Sequence, residues 1–235
     1  AFARVLPQLA ADDEVGALML TGAGGAFCAG GDVKGMNRRN TGSEPGFANP
    51  EARIEDLRRR QRAVSAAIHD FPKVTIAAIP GAAAGAGLSI ALACDMRVAA
   101  RRAIFTTAFA KIGYSGDFGG SWFLTQLVGA AKARELYLSA DRIDAAEALA
   151  LGIVNRMFPD ADFEASALAY AQRFANGPSV AHRYIKENIN RAMVSDLGTC
   201  LDAEASAMVR TAATEDHRAA VAAFVEKREP TFAGR

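Results

Sequence analysis

Val74-Thr75-Ile76-Ala77-Ala78-Ile79-Pro80-Gly81-Ala82-Ala83-Ala84-Gly85-Ala86-Gly87-Leu88-Ser89 reads as three joined pieces. Val74 to Ile79 is a β-branched run of strand length, Pro80-Gly81 closes it, and the small-residue run Ala82 to Gly87 feeds a buried helix from Leu88 to Ala93. Upstream the same order recurs. The apolar run Val15 to Thr21 reads as a buried strand, stopped by Gly22-Ala23-Gly24-Gly25, and Phe27-Cys28-Ala29-Gly30-Gly31-Asp32 leads into a short helical turn at Val33 to Met36. Downstream, Asp95 to Ala100 and Ala103 to Thr107 read as strands, and the loop Gly113 to Gly120 opens a helix at Ser121. Asn37 to Pro50 is rich in breakers and is expected to be a surface loop. Glu51 to Asp70 has helical spacing of Ile54, Leu57, Val64, Ala67 and Ile68, the mark of an amphipathic helix. Beyond Pro159 the pattern changes to consecutive helices from Asp162 to Arg228, with starts near Pro178, Asp196 and Thr214.

Bulk composition narrows the setting. Of 235 residues, 51% are apolar, enough for a sizeable core. Lys and Arg (27) nearly cancel Asp and Glu (26), so no global field draws the chain to nucleic acid or to an anionic membrane. Any anionic ligand must be held locally. Cys28, Cys94 and Cys200 are odd in number and widely spaced, which argues against a disulfide framework and for a reducing, cytoplasmic compartment, a mitochondrial matrix location staying open. No C-x-x-C or H-E-x-x-H spacing occurs, and no metal is expected. No apolar run reaches the roughly 18 residues of a membrane span. The chain opens inside a helix-like segment with neither initiator Met nor cap, so an earlier N-terminal segment is expected.

Each glycine-rich turn sets successive backbone N–H groups, clear of side chains, at a helix start, which favours an anion. Phosphate fingerprints do not fit. Position 90 is Ile where G-x-G-x-x-G needs its third Gly, and Gly25 to Gly31 lacks the Lys and Ser/Thr of a P-loop. One such turn alone would only permit close helix-on-strand packing. Two opposed turns supply what an oxyanion hole needs: preorganised donors aimed at a charge that develops in the transition state.

Gly25-Ala26-Phe27-Cys28-Ala29-Gly30-Gly31-Asp32-Val33-Lys34, Ile79 to Ser89, Ala93-Cys94-Asp95 and Phe224-Val225-Glu226-Lys227-Arg228 together resemble the crotonase (enoyl-CoA hydratase/isomerase) superfamily, in order along essentially the whole chain. The resemblance implies an α/β fold, a spiral of ββα units over residues 1–160, with a helical trimerisation region over 161–235. It implies an acyl-CoA thioester as substrate, coenzyme A entering as part of that substrate with no separate cofactor, and a homotrimer or a dimer of trimers. It also implies an oxyanion hole from the N–H groups of Gly31 and Ala86. The family often has Gly at the second position; Ala donates an N–H as well, but its methyl narrows the approach. By the same resemblance Ala29, Asp32, Val33 and Lys34 contact CoA, and Phe224 with Lys227 reaches a neighbour's CoA. Strands that precede Ala1 in the family, and their share of the CoA site, are absent from this sequence.

Family hydratases work with a pair of carboxylates, at positions that here correspond to Ser89 and Phe109. Neither residue transfers a proton as a carboxylate does, which counts against ordinary hydration. The remaining candidate is Asp117. An Asp within Ser-Gly-Asp-Phe-Gly-Gly is by itself a turn or cap residue. However, Phe109 to Trp122 resembles the loop in which family isomerases, including the ring-epoxide phenylacetyl-CoA type, place their single catalytic acid, and in which family dehalogenases place a nucleophilic Asp. One carboxylate suits isomerisation, because it can remove an acidified carbon proton and return it two carbons away. Expected first is therefore double-bond or ring isomerisation with Asp117 as acid/base. A hydratase using Asp117 alone, or a non-catalytic acyl-CoA or RNA-binding homologue, are the alternatives, with dehalogenase or thioesterase chemistry behind them.

Ser89, Phe109, Tyr114 and Trp122 are candidate walls of the acyl pocket, Tyr114 and Trp122 being equally good core residues. The run Arg58-Arg59-Arg60-Gln61-Arg62 reads as a solvated helix face before it reads as a phosphate or RNA grip. Asp32 and Asp95 read as caps or buried hydrogen-bond partners, and His69 and Cys28 as packing or surface residues.

Overall fold

The computed structural model describes residues 1–43 and 49–235. Val74–Ile79 forms β2, and every one of its residues is buried. Its neighbours run parallel to it: β1 (Ala17–Leu20) with Ala17 opposite Val74, and β4 (Met96–Ala100) with Ile76 opposite Met96. β7 (Arg156–Phe158) lies beyond β4, so the sheet order is β1-β2-β4-β7. Covered on both faces, such a strand shows a continuous apolar run and no polar alternation.

The period-2 alternation of β2 nevertheless decides which helix each residue meets. Val74, Ile76 and Ala78, with Val98 and Ala100 of β4, pack against Phe163, Ala167 and Ala171 of α8 (Phe163–Ala175). Those helix positions are spaced to form one stripe. Ala77 and Ile79 face the other way, into the cluster that includes Leu6 of α1 (Phe2–Ala11) and Leu88, Ala91 and Leu92 of α5 (Ala86–Leu92). Thr75, fully buried, is satisfied by Asp95: the Thr75 N–H donates to the carboxylate at 2.7 Å and its hydroxyl at 3.0 Å. Lys186 closes the same carboxylate from α9 (Ser179–Ala192) at 2.9 Å. Asp95 is thus a structural partner, as its sequence context indicates.

A second, smaller sheet pairs β3 (Ala83–Ala84) with β5 (Ile104–Thr106) in parallel, and β5 with β6 (Ile143–Asp144) antiparallel. The sequence does not announce β3, β6 or β7. Each is only a few residues long, and Ala-Ala has weak strand preference, so these pairings are imposed by neighbouring backbone.

Two further expectations are corrected. The segment from Asn37 is not loop at its start: α2 (Val33–Asn40) runs through it, capped by the Asp32 carboxylate accepting from the Gly35 N–H at 2.9 Å and with Arg38 and Arg39 in its last turn. A side-chain cap and C-terminal cations together sustain a helix whose sequence looks breaker-rich. The middle of the expected loop, residues 44–48, lies outside the described residues. The helix expected over Glu51 to Asp70 is present but not uniform. α3 (Pro50–Gln61), capped by Asn49, passes into a π-helical turn at Arg62–Ala66 before α4 (Ala67–His69). On its outer face Arg58 pairs with Glu55 at 2.5 Å, and Arg59 and Arg60 each pair with Asp56 at 2.6 Å. Three of the four arginines of the run are accordingly paired with carboxylates of their own helix on a solvated face.

The expected helix starts near Pro178, Asp196 and Thr214 are the N-caps of α9, of α10 (Leu197–Ala212) and of α11 (Glu215–Val225). α6 (Gly120–Ser139) is broken by Gly129, whose φ of 74° and ψ of 163° are not helical, and α7 (Ala145–Ala150) leads to β7. No helix among the described residues is long and apolar enough to cross a membrane.

Candidate active site

The two glycine-rich turns are stitched together by backbone. Phe27 and Cys28 donate their N–H groups to the Ala82 carbonyl at 3.0 and 3.1 Å, and the Ala84 N–H donates to the Cys28 carbonyl at 2.9 Å. Gly30, at φ +89°, lies so close to the second turn that a Cβ would fall 2.7 Å from the Ala84 oxygen and 3.5 Å from the Ala86 nitrogen. Only glycine fits that conformation and that gap. Gly87 is similarly constrained, since a Cβ there would meet the Cys28 Cβ at 2.6 Å.

The N–H groups that matter follow directly. Gly85 turns the chain at φ +53° from β3 into α5, whose first residue is Ala86. A first-turn N–H has no intrahelical partner. Neither the Gly31 nor the Ala86 N–H donates to any other group among the described residues. Gly31 is exposed and Ala86 half-buried, so both donors are within reach of a ligand. The arrangement can hold a carbonyl oxygen on which negative charge grows.

One helical turn beyond Ala86, the buried Ser89 hydroxyl bonds the Gly85 carbonyl at 3.3 Å. It abuts Gly120 so closely that a Cβ at Gly120 would overlap Ser89 Oγ and stand 2.5 Å from the Tyr137 hydroxyl. Gly120 and Tyr137 both belong to α6, and a straight helix would hold them about 25 Å apart. The break at Gly129 folds the helix back, and this is what brings the phenol to the site. Tyr137 also stacks on Phe109, with ring centroids 6.1 Å apart and planes at 4°. Burial pushes the Tyr137 phenol up to about 12, Ser89 offsetting this in part and the charge of Asp117 reinforcing it. The phenol is therefore a neutral hydrogen-bonding group throughout the physiological range.

Asp117 stands in the loop before α6, half-buried. Its Oδ1 accepts from Gln61 Nε2 at 2.7 Å and from the Phe118 N–H at 2.7 Å. Its Oδ2 has no hydrogen-bond partner among the described residues. A carboxylate tethered by one oxygen and open at the other can exchange a proton.

The remaining sequence candidates separate into groups. Ala29, Val33 and Lys34 are exposed beside Gly31, with Val33 51% exposed, while Asp32 caps α2 and pairs with Arg38 at 3.6 Å. The Gly35 N–H, helped by Arg38 and Arg39, holds the Asp32 carboxyl below its ordinary range. Phe109 is buried against Tyr137, and Tyr114 is exposed in the loop before Asp117. Trp122 does not join this group. It packs edge-on to His69 at 5.5 Å and to Phe123 at 5.1 Å, and it lines a cavity of about 370 Å³ beneath α9 with Ile185, Lys186 and Ile189. Phe224 and Lys227 are exposed at the end of α11, which packs on α10. Tyr137 and Gln61 have no warning in the sequence: one arrives by the break at Gly129 and the other from a helix distant in the chain.

Comparisons with known proteins give the chain its relatives. The profile of the family described as Enoyl-CoA hydratase/isomerase matches residues 1–235. A probable enoyl-CoA hydratase of Rhodobacter capsulatus is 39% identical over 227 residues, covering 94% of this chain and 82% of the relative. The 1,2-epoxyphenylacetyl-CoA isomerase of Escherichia coli is 36% identical over 233 residues, covering 99% of this chain and 87% of the relative. The crystal structure of an enoyl-CoA hydratase from Polaromonas superposes with a TM-score of 0.90 at 34% identity, covering 99% of this chain and 88% of that one.

Proposed function

The chain belongs to the enoyl-CoA hydratase/isomerase family, and on that premise we propose that it isomerises an acyl-CoA thioester with Asp117 as its acid/base. The observation that carries this reading is the distribution of carboxylates. Positions 89 and 109 hold a buried serine and a buried phenylalanine, and the carboxylate whose charge reaches the Tyr137 wall is Asp117.

The thioester oxygen lies between the Gly31 and Ala86 N–H groups. Polarised there, the α-carbon becomes acidic, and Asp117 Oδ2 removes its proton as the enolate oxygen takes up charge in the hole. The electron pair moves through the adjacent double bond, and the same carboxyl returns the proton to the γ-carbon. The double bond shifts from the 3,4 to the 2,3 position with no water taken up. The relative named 1,2-epoxyphenylacetyl-CoA isomerase extends the candidate substrates to cyclic acyl groups, whose isomerisation would start from the same α-proton removal.

Hydration by Asp117 alone is the second reading, favoured by the relatives named as hydratases. The two readings diverge in one assay. Offered 3-hexenoyl-CoA and 2-hexenoyl-CoA in separate reactions, the enzyme converts the first to the second and forms no 3-hydroxyacyl-CoA from either. Hydroxyacyl product from 2-hexenoyl-CoA, with 3-hexenoyl-CoA untouched, would reverse the order.

A homotrimer, or a dimer of trimers, completes the proposal. Ile189, Leu197, Met208, Val209 and Phe224 are 59 to 85% exposed on α9, α10 and α11, large apolar side chains of the kind that association covers. Joining copies would cover that surface and would set Phe224 and Lys227 near a neighbour's CoA. Sedimentation equilibrium should return three or six copies at micromolar concentration; a single copy would contradict it. The unpaired thiols Cys28, Cys94 and Cys200 support a reducing, cytoplasmic setting.

A further inference from the structure

The helix behind Asp117 is not regular. α3 ends at Gln61, and the next residues, Arg62–Ala66, form a π-helical turn wedged between α1 and α5. Such turns are rare and recur at functional sites. This one buries Ser65 to 4% exposure with its hydroxyl unpartnered among the described residues.

What the turn accompanies is the aim of Gln61. The half-buried side chain reaches across to the loop before α6, where its Nε2 meets Asp117 Oδ1 at 2.7 Å. An ionised carboxylate only accepts, so the amide must present its NH₂ to it. The Phe118 N–H holds the same oxygen at 2.7 Å. With Oδ1 bonded twice, rotation of the carboxylate is arrested and Oδ2 keeps a fixed direction. The π-turn that follows Gln61 packs on α5, the helix whose first residue is Ala86. Hole and base are thereby held by one continuous piece of structure.

We propose that Gln61 is a positioning residue for Asp117: its side-chain amide, with the Phe118 N–H, fixes Oδ1 and leaves Oδ2 as the oxygen that exchanges the proton. This inference rests on Asp117 being the acid/base.

The test is steady-state turnover of 3-hexenoyl-CoA by the full chain. Gln61→Met keeps the length of the side chain and removes the donor. Its kcat should fall by about 10-fold to 100-fold, the scale of a misplaced catalytic group, with KM and melting temperature unchanged. Gln61→Glu, which turns an attraction into a repulsion, should fall at least as far. In an Asp117→Asn background the residual rate should not drop further on adding Gln61→Met, because a residue acting through Asp117 has nothing left to position. If kcat of Gln61→Met equals that of the parent while Asp117→Asn is inactive, the positioning role is wrong and the acid/base reading stands. Full turnover in Asp117→Asn overturns both. A fall in kcat that tracks a lowered melting temperature overturns the positioning role in favour of a structural one.

Discussion

Asp117→Asn lowers turnover of a 3-enoyl-CoA by about 10²–10⁴-fold, the range over which a positioned acid/base contributes. The amide nearly preserves the volume of the carboxylate and removes its ability to take a proton. Its carbonyl oxygen can still accept from Gln61 and from the Phe118 N–H, the partners that hold Oδ1 at 2.7 Å. The loop should keep its shape, so the loss should appear in kcat while substrate binding is retained. Circular dichroism and the KM of the residual activity check that the fold and the CoA contacts survive. A variant with parent-like kcat would remove Asp117 from the chemistry and, with it, the basis for preferring isomerisation.

Gly30→Ala should lower kcat by about 10²–10³-fold, the loss seen when an oxyanion donor is removed. The substituent would stand 2.7 Å from the Ala84 oxygen in a conformation, φ +89°, that side chains rarely adopt. The carbonyl it meets belongs to β3, which is paired to β5 and bonded to Cys28, so it cannot retreat without undoing both turns. The first turn must move instead, taking the Gly31 N–H out of line with that of Ala86. Stability should suffer as well, by about 1–3 kcal/mol for the forced contact, measurable by urea unfolding. Gly24→Ala is the matched control: it too has positive φ, +73°, but nothing within 4 Å of its added carbon. It should share the backbone strain and keep the activity.

The contrast between Gly30 and Tyr137 shows what a sequence makes legible. Gly30-Gly31 and Gly85-Ala86-Gly87 follow strands whose β-branched or apolar runs are bounded by glycine, and the turns could be placed because the signal is local. β2 reads clearly for the same reason. Ala83–Ala84 does not read as a strand, because its pairing with Phe105 and Thr106 owes nothing to its own propensity. α2 was hidden by Asn and Gly residues whose disfavour is outweighed by the Asp32 cap. The wall of the site was hidden more deeply. Tyr137 reaches Ser89 only because Gly129 breaks α6, and Gln61 reaches Asp117 only because the fold sets the end of α3 beside the loop before α6. Both depend on tertiary placement that no periodicity encodes. The arginine run, conspicuous in the sequence, has three of its four arginines paired with Glu55 and Asp56 on its own helix. Trp122, beside the glycine loop in sequence, packs on His69 and Phe123.

The most direct measurement follows the proton. When 3-hexenoyl-CoA carrying deuterium at its α-carbon is incubated in ordinary water, the same Asp117 carboxyl removes the label and returns it two carbons away. NMR of the 2-hexenoyl-CoA product should therefore find part of the deuterium at the γ-carbon, and Asp117→Asn should abolish the transfer. Double-bond migration at the parent rate in Asp117→Asn, with the γ-carbon carrying solvent hydrogen alone in both proteins, would contradict a single carboxylate working beneath the Gly31 and Ala86 N–H groups.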